Sequence, residues 1–570
     1  MIDFRNVNTL WSSVLVETLF CCGVSTVVIC PGSRSTPLTV AFANHPQITA
    51  IPLLDERSAA FFALGRAKKT GLPTVLVCTS GTAGANFYPA VIEGCQSSVP
   101  LIVLTADRPP ELRDCHAGQA IAQHRLYGNY PNWHCEVALP EANLAMLRYL
   151  RQTMIQAYNR ALYPHRGVVH LNLPFREPLA PLERPSMDLD RLPADFFTAA
   201  TVSVSETSVL NLPWNRWRDK SGLIIAGLAQ PQNPQNYCEE IALLAQHLDF
   251  PVFAEALSPL RNYAPLNPYL ISTYDVILRQ SAPRKLVPEV VIQIGELPIS
   301  KELRGWLQDT DPDRWLITPK VENFDSLHGK TVHLHTSIDR VAAQIEVVAD
   351  RPPGQYCQQW LDLEAAARNK IDRTMESITE LREAKVAWLI SQTLPVGTPI
   401  FLANSMSVRY AEYFWPPNSH KIAPYFSRGA NGIDGTLSTA LGIAYEDRGV
   451  LLTGDLALLH DTNGFLSADK FSGHLTIVLV NNHGGGIFEI LPIADFPSFE
   501  EYFATPQAVD IAQLCRAYKI EHIAIRDWQE LSSLLSELPP TGIRVLELTC
   551  DRQEDAAWLR HNLALLGKNY

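Results

Sequence analysis

Two apolar runs, each ending in an oxygen-bearing side chain, set the strongest limit on what this chain can fold into. Gly449-Val450-Leu451-Leu452-Thr453 leads into Gly454-Asp455-Leu456-Ala457, and Leu475 to Val480 leads into Asn481-Asn482-His483-Gly484. Such runs read as buried strands, and the 26 residues between Asp455 and Asn482 leave room for a helix. Strand, helix, strand makes a parallel sheet, whose carboxyl edge is where open α/β folds bind ligands. A carboxylate, an amide oxygen and the loop carbonyl of Gly484 suit Mg2+, which keeps further positions for phosphate oxygens and water. Gly-Asp and Asn-Asn are each common turn dipeptides. The agreement of spacing, residue type and strand context is what points to a site.

The pattern recurs along the chain. Strands are expected at Thr26–Cys30, Ile48–Leu53, Thr74–Thr79, Leu101–Thr105 and Gly167–Leu171, with helices at Ser58–Lys69, closed by Gly71, and Leu144–Leu162. The middle third offers Gly222–Ala226, Pro251–Ala254, Val290–Ile294 and Trp315–Thr318. The last third offers Pro399–Ala403, Gly449–Leu452, Leu475–Val480 and Ile543–Leu548, after a helical stretch from Tyr356 to Thr393. Alternation of this kind predicts α/β architecture with three doubly wound parallel-sheet domains. Proline-rich stretches ending at Pro185 and around Asp350–Gly354 divide them into residues 1–185, 200–350 and 356–570.

A chain of 570 residues is too long for one core. With 46% hydrophobic and 19% charged residues it is globular. A net charge of −12 without any basic block excludes a general nucleic-acid binder. The 11 cysteines form no CxxC pair and read as reduced thiols of a cytoplasmic protein, with Cys30 and Cys78 as small core residues. Asp3 and Glu17 argue against a signal peptide, and no apolar run is long enough for a membrane span.

The Gly-Asp and Asn-Asn pair at this spacing resembles the thiamine diphosphate (ThDP) signature, with Leu456 where glycine is commonest. Three α/β domains with that motif in the last are similar to the pyruvate-oxidase/decarboxylase-type ThDP enzymes. The resemblance implies a pyrimidine-binding first domain, a central domain, a diphosphate-binding third domain and an active site shared between two chains of a homodimer or dimer of dimers. It assigns Mg2+ or Mn2+ to Asp455, Asn482 and Gly484, and the cofactor to those residues with Gly454, Leu456, Ile433 between its rings, and Ile487. Amides that open a helix after Asp455 suit phosphate, and Gly484 to Gly486 let backbone approach it closely. Glu56, in Leu54-Asp55-Glu56-Arg57-Ser58, matches the glutamate that shares a proton with the aminopyrimidine. Burial would raise its pKa for that task, whereas a glutamate in a first helical turn otherwise only complements the helix dipole.

Arginines gather after the strands. Pro31-Gly32-Ser33-Arg34-Ser35-Thr36-Pro37 offers Arg34 beside a helix start, with Ser35 or Thr36 as cap and Pro37 in the first turn. Arg108 stands in Ala106-Asp107-Arg108-Pro109, Ser405 and Arg409 in Asn404-Ser405-Met406-Ser407-Val408-Arg409, and Arg428 before Gly429. One such arginine is usually a surface residue. Four at strand ends suggest substrates with several carboxylates, held by paired guanidinium contacts. The strings PGSRSTPL, ADRPPELRD, SRGANGIDG, TGDLALLHD and NNHGGGIFEILP closely resemble the 2-succinyl-5-enolpyruvyl-6-hydroxy-3-cyclohexene-1-carboxylate (SEPHCHC) synthase family of menaquinone and phylloquinone biosynthesis. That family joins 2-oxoglutarate to isochorismate and releases CO2. The resemblance puts Ser33, Arg34 and Arg108 on isochorismate, Gln119 near the reacting centre, Ser405, Arg409 and Arg428 on the oxoglutarate-derived carboxylate, and Ile487 and Phe488 along the pocket. Some members carry Asn at the position of Gly118. The family's central Lys-Arg pair is here Lys301-Glu302, so Lys301 is the candidate for isochorismate and Arg304 either compensates or is a surface residue. Competing readings are another ThDP 2-oxoacid decarboxylase or acetohydroxyacid synthase, which acts on smaller acids, an inactive interaction scaffold, and a flavin-binding central domain.

Overall fold

A computed structural model describes residues 2–183, 191–198, 212–320, 322–346 and 352–567. The domain limits expected at 185, 200 and 350 lie outside them. Three six-stranded sheets, parallel throughout, carry the fold. The first contains β1 (Thr26–Ile29), β2 (Thr49–Pro52), β3 (Thr74–Cys78), β4 (Leu101–Asp107), β5 (Trp133–Glu136) and β6 (Val168–Pro174), in the order β2-β1-β3-β4-β6-β5. The second contains β7 (Gly222–Ala226), β8 (Val252–Ala254), β9 (Leu270–Ile271), β10 (Val290–Ile294), β11 (Asp313–Thr318) and β12 (Thr331–His335), in the order β12-β11-β10-β7-β8-β9. The third contains β13 (Pro399–Leu402), β14 (Ala423–Tyr425), β15 (Arg448–Gly454), β16 (His474–Asn481), β17 (Glu521–Ala524) and β18 (Gly542–Thr549), in the order β14-β13-β15-β16-β18-β17. Central strands are buried along nearly their whole length, as β3, β4, β6 and β16 show. Both sheet faces are therefore covered by helices, which is why these strands read as continuous apolar runs and not as alternating ones.

The expected strands are all present to within a few residues. Five more, β5, β9, β12, β14 and β17, were not anticipated. The helical stretch Tyr356 to Thr393 is two helices, Gln355–Ser377 and Glu383–Thr393, because Ile378 and Arg382 take extended backbone angles. The helix Thr36–Ala43 does carry Pro37 in its first turn, but it has no side-chain cap. The Ser35 hydroxyl donates back to the Gly32 carbonyl and that of Thr36 to the Ser33 carbonyl. Both hydroxyls tighten the loop instead of capping the helix.

The chain divides into two compact units. Unit 1, Met1–Glu206 with Ser427–Asp447 and His460–Ser472, holds the first sheet. In it the helices Glu56–Thr70 and Thr436–Ala444 touch through their backbones. A Cβ on Gly65 would lie 2.1 Å from the Thr439 carbonyl oxygen, and one on Gly442 2.0 Å from that of Phe62. Unit 2, Thr207–Phe426 with Arg448–Leu459 and Gly473–Tyr570, holds the second and third sheets. A fully buried ion pair, Arg261 with Glu412 at 3.1 Å, lies within it. Arg261 also donates to the carbonyls of Ala254 and Glu412, so the buried charge has the hydrogen-bonded setting that burial demands.

Candidate active site

In unit 2 the third sheet builds an oxygen-rich edge. β15 and β16 are parallel neighbours with Gly454 opposite Val480. Asp455 and Asn482 therefore leave adjacent strands at the same edge, beside the point where the chain order reverses between β13 and β15. Asp455 opens the helix Asp455–His460 and is buried. Burial raises its pKa, opposed by hydrogen bonds from the backbone amides of Leu456 and Gly484. Asn481 is structural: its amide donates to Glu547 at 2.6 Å. Asn482 is different. Its amide nitrogen donates to Glu383 Oε1 at 2.6 Å, which leaves Oδ1 buried with no hydrogen-bond partner. An orphaned buried oxygen beside a buried carboxylate is what a cation requires. The Gly484 carbonyl accepts from the Gly486 amide at 3.0 Å and keeps a second lone pair. This donor set fits Mg2+ or Mn2+.

The loop beyond is shaped for close approach. Gly484 has φ of 138°, and a Cβ there would lie 2.5 Å from the Ala504 carbonyl oxygen. On Gly486 it would lie 2.6 Å from Asn482 Nδ2. Arg552 pins the loop from outside, donating to the His483 carbonyl at 3.0 Å and to Glu489 at 2.9 Å. Ile487 and Phe488 sit half-buried on the short helix Gly486–Glu489. At the neighbouring edge of β13, Ser405 takes φ of 69°, a costly angle for a residue with a side chain and one that clusters at functional sites. Arg409 donates to the Ser405 carbonyl at 2.6 Å, and burial lowers its pKa.

Glu383 has no counterpart in the sequence reading. It is buried on a helix far upstream in the chain, and burial, then Asp555, raises its pKa to about 8. No motif marks it. Lys301 is exposed in the first turn of Lys301–Thr310. Arg304 is half-buried, and its guanidinium donates to the carbonyls of Pro298 and Leu297 at 2.9 and 3.3 Å.

In unit 1 the first sheet carries cations at the equivalent place. The loops after β1 and β3 flank its order reversal and touch so closely that a Cβ on Gly32 would overlap Thr79. Arg34 is buried, with Nη1 donating to the Phe175 carbonyl at 2.9 Å and Nε unpartnered. Burial, then the charge of Arg108, lowers its pKa. Arg108 reaches Ser80 Oγ at 2.5 Å and Gln119 Oε1 at 3.4 Å. Gln119 has φ of 58°. Arg34, Arg108 and Gln119 thus come together, Ser33 is exposed beside them, and Ser80 joins as a contact that its place at the end of β3 signals. Glu56 opens the helix Glu56–Thr70, capped by Asp55, and is half-buried. Arg428 and Ile433 lie on the loop before the helix Thr436–Ala444, and the loop amides at Gly429 and Ala430 donate to the buried Glu93 at 3.1 and 2.6 Å.

The chain matches three family patterns in succession: "Thiamine pyrophosphate enzyme, N-terminal TPP binding domain" over residues 11–126, "Middle domain of thiamine pyrophosphate" over 196–402, and "Thiamine pyrophosphate enzyme, C-terminal TPP binding domain" over 405–547. Solved structures share the fold. A thiamine diphosphate-dependent 4-hydroxybenzoylformate decarboxylase of Rhodococcus jostii RHA1 superposes with a TM-score of 0.70 at 16% identity, over 95% of this chain and 99% of that one. A benzoylformate decarboxylase from Polynucleobacter necessarius gives 0.67 at 16%, over 95% and 98%. Fold and site together define a thiamine diphosphate enzyme. The 2-succinyl-5-enolpyruvyl-6-hydroxy-3-cyclohexene-1-carboxylate synthase of Gloeothece citriformis is 61% identical across 99% of both chains, and that of Rippkaea orientalis 56% identical across 100% of this chain and 98% of its own. The chain belongs to the SEPHCHC synthase family.

Proposed function

We propose that the chain decarboxylates 2-oxoglutarate and adds its succinyl unit to isochorismate, giving SEPHCHC and CO2 on the way to menaquinone or phylloquinone, with ThDP and Mg2+ or Mn2+. Asp455, Asn482 Oδ1 and the Gly484 carbonyl would hold the cation, with Gly454, Leu456 and Ile487 along the cofactor and Ile433 between its rings. When bound, the cofactor supplies the electron sink for the pair left by departing CO2. Glu56 holds a proton against the pyrimidine nitrogen. Ser405, Arg409 and Arg428 orient the oxoglutarate-derived carboxylate. Ser33, Arg34 and Arg108 take the isochorismate carboxylates, with Lys301 as a further cation. Gln119, already hydrogen-bonded to Arg108, stands near the reacting carbons, and Phe488 lines the pocket. Domain limits of 1–185, 200–350 and 356–570, and a homodimer or dimer of dimers sharing active sites, complete the reading.

The observation that carries it is the pair Arg34 and Arg108. Two guanidiniums repel, and here burial raises the cost. The acidic partner of Arg34, Glu177, is largely exposed and 3.5 Å away. Such a pair is stabilised by a substrate that brings two negative charges. Incubation with 2-oxoglutarate and isochorismate should release CO2 and form the joined acid, with pyruvate a poor replacement. Faster CO2 release from pyruvate would favour the smaller-acid decarboxylases instead.

A further inference from the structure

At the edge of the first sheet, His124, His134 and Glu136 bring three ligand atoms within 4.8 Å of one another. None has a part in the cofactor or substrate assignments above. The polar network behind them fixes which ring nitrogens carry hydrogen. Asn172 on β6 donates through its amide nitrogen to Asp107 Oδ2 and to Glu136 Oε2, both at 2.8 Å. Ionised carboxylates only accept, so the amide cannot be turned the other way. Asn172 Oδ1 then accepts from Thr105 Oγ1 and Gln123 Nε2, both at 2.9 Å. Thr105 has a single hydroxyl proton and spends it on Asn172. His170 Nε2, 2.8 Å from Thr105 Oγ1, must therefore be the donor, which leaves His170 Nδ1 as an acceptor. His134 Nδ1 lies 3.1 Å from it and donates. The other nitrogen of that ring, His134 Nε2, presents a lone pair to His124.

We infer that His124 Nδ1, His134 Nε2 and Glu136 Oε2 form a binding site for a borderline divalent transition-metal ion such as Zn2+. His124 Nδ1 and His134 Nε2 are 3.3 Å apart. Tetrahedral coordination with Zn–N bonds of about 2.0–2.1 Å places two ligands about 3.3–3.4 Å apart. Glu136 Oε2 is 3.9 Å from His124 Nδ1 and the set spans up to 4.8 Å, so binding requires the His124 ring, 59% exposed, and the Glu136 carboxylate both to turn toward His134. The hydrogen bonds from His134 to His170 and from Asn172 to Glu136 orient both inner ligands, as outer partners do in metal sites. Two imidazoles and one carboxylate favour Zn2+ over the hard, oxygen-seeking Mg2+ and leave a fourth position for water. Arg113 works against the ion. It pairs with Glu136 Oε1 at 2.5 Å and Asp107 Oδ2 at 2.9 Å, and its charge sets the site at modest affinity.

The test is a Co2+ titration of the full chain saturated with ThDP and excess Mg2+, read by visible absorption. One equivalent should produce the intense bands of a tetrahedral nitrogen-containing site, and Zn2+ should abolish them. His124→Ala should weaken binding about tenfold or more, since even outer-partner losses cost that much. His124 is exposed, so the fold tolerates this change. Arg113→Gln should tighten binding. Absence of the bands in the wild type, equal affinity in His124→Ala, or weaker binding in Arg113→Gln would each overturn the site.

Discussion

The first and third sheets run through the same strand order, and each bears candidate site residues near its reversal point, yet the two edges carry opposite charge chemistry. In the first, the loops after β1 and β4 present Arg34 and Arg108. In the third, the ends of β15 and β16 present a carboxylate and an amide oxygen. The mountings differ as well. Asp455 and Asn482 follow directly on strands held by an eight-residue ladder between β16 and β18, and Glu383 holds the Asn482 amide in one orientation. Arg108 also follows directly on its strand, β4, whereas Arg34 sits on the loop beyond β1, and the two engage Ser80, Gln119 and a backbone carbonyl. Topology decides where a site forms, and the first residues past the strands decide its sign.

The sharpest break of this comparison is Asp455→Ala. Losing the only anionic ligand should abolish Mg2+-dependent ThDP binding, and unchanged affinity by calorimetry would remove the metal from this edge. Next in size, Glu56→Gln should keep the fold and ThDP binding but lower turnover by about 10^2- to 10^4-fold. Wild-type proton–deuterium exchange at the thiazolium carbon in this variant would take Glu56 out of the chemistry. Third, Arg34→Ala and Arg409→Ala should part company. A charge-assisted contact is worth about 1.5–3 kcal/mol, or roughly 10- to 150-fold. The Arg34 variant should lose isochorismate consumption while CO2 release from 2-oxoglutarate persists, and the Arg409 variant should lose the CO2 release itself. Equal damage to both steps in both variants would show that the two edges do not divide the substrates. Fourth, Glu383→Ala should weaken Mg2+-dependent ThDP affinity about 10- to 100-fold, with Glu383→Gln retaining most of it because its amide oxygen still accepts from Asn482. Identical loss in both would mean that charge, not orientation, is what Glu383 contributes.

The smallest effect concerns pH. His170 on β6 and His474 on β16 are buried, and burial lowers their pKa values to about 3 and about 4. A histidine whose folded pKa is depressed stabilises the fold above its unfolded value of about 6.5, and that contribution is lost as pH falls toward the folded value. The melting temperature should fall between pH 6.5 and 4.5, less steeply in His474→Gln. Parallel curves for the variant and the wild type would show that His474 is not held neutral by its surroundings.

Every strand that the sequence failed to announce lies at a sheet edge or ends a row: β5, β9, β12, β14 and β17. The reason is burial. β5, β12 and β17 are half-exposed and lack an unbroken apolar run, and β9 and β14 are two and three residues long, too short for any periodicity to show. The central strands, covered on both faces, could be read directly. The same division holds at the site. Asp455 and Asn482 were legible because they abut strands at a telling spacing. Glu383 was not, because its proximity to Asn482 exists only once a separate helix has packed. The helical stretch after Tyr356 looked continuous because nothing in Ile378 to Arg382 is a strong helix breaker.

The bare crossing of the helices Glu56–Thr70 and Thr436–Ala444 has a consequence for how this chain can drift over time. At Gly65 and Gly442 the two backbones meet with no clearance for even a methyl group. One helix begins at Glu56, and the other follows directly on the loop that carries Arg428 and Ile433. Any side chain at the crossing would act as a wedge at the middle of a lever, swinging the glutamate at one end against the loop at the other. These two positions are therefore silent in the chemistry but closed to substitution, and a survey of tolerated mutations should find them as intolerant as the residues that touch the cofactor.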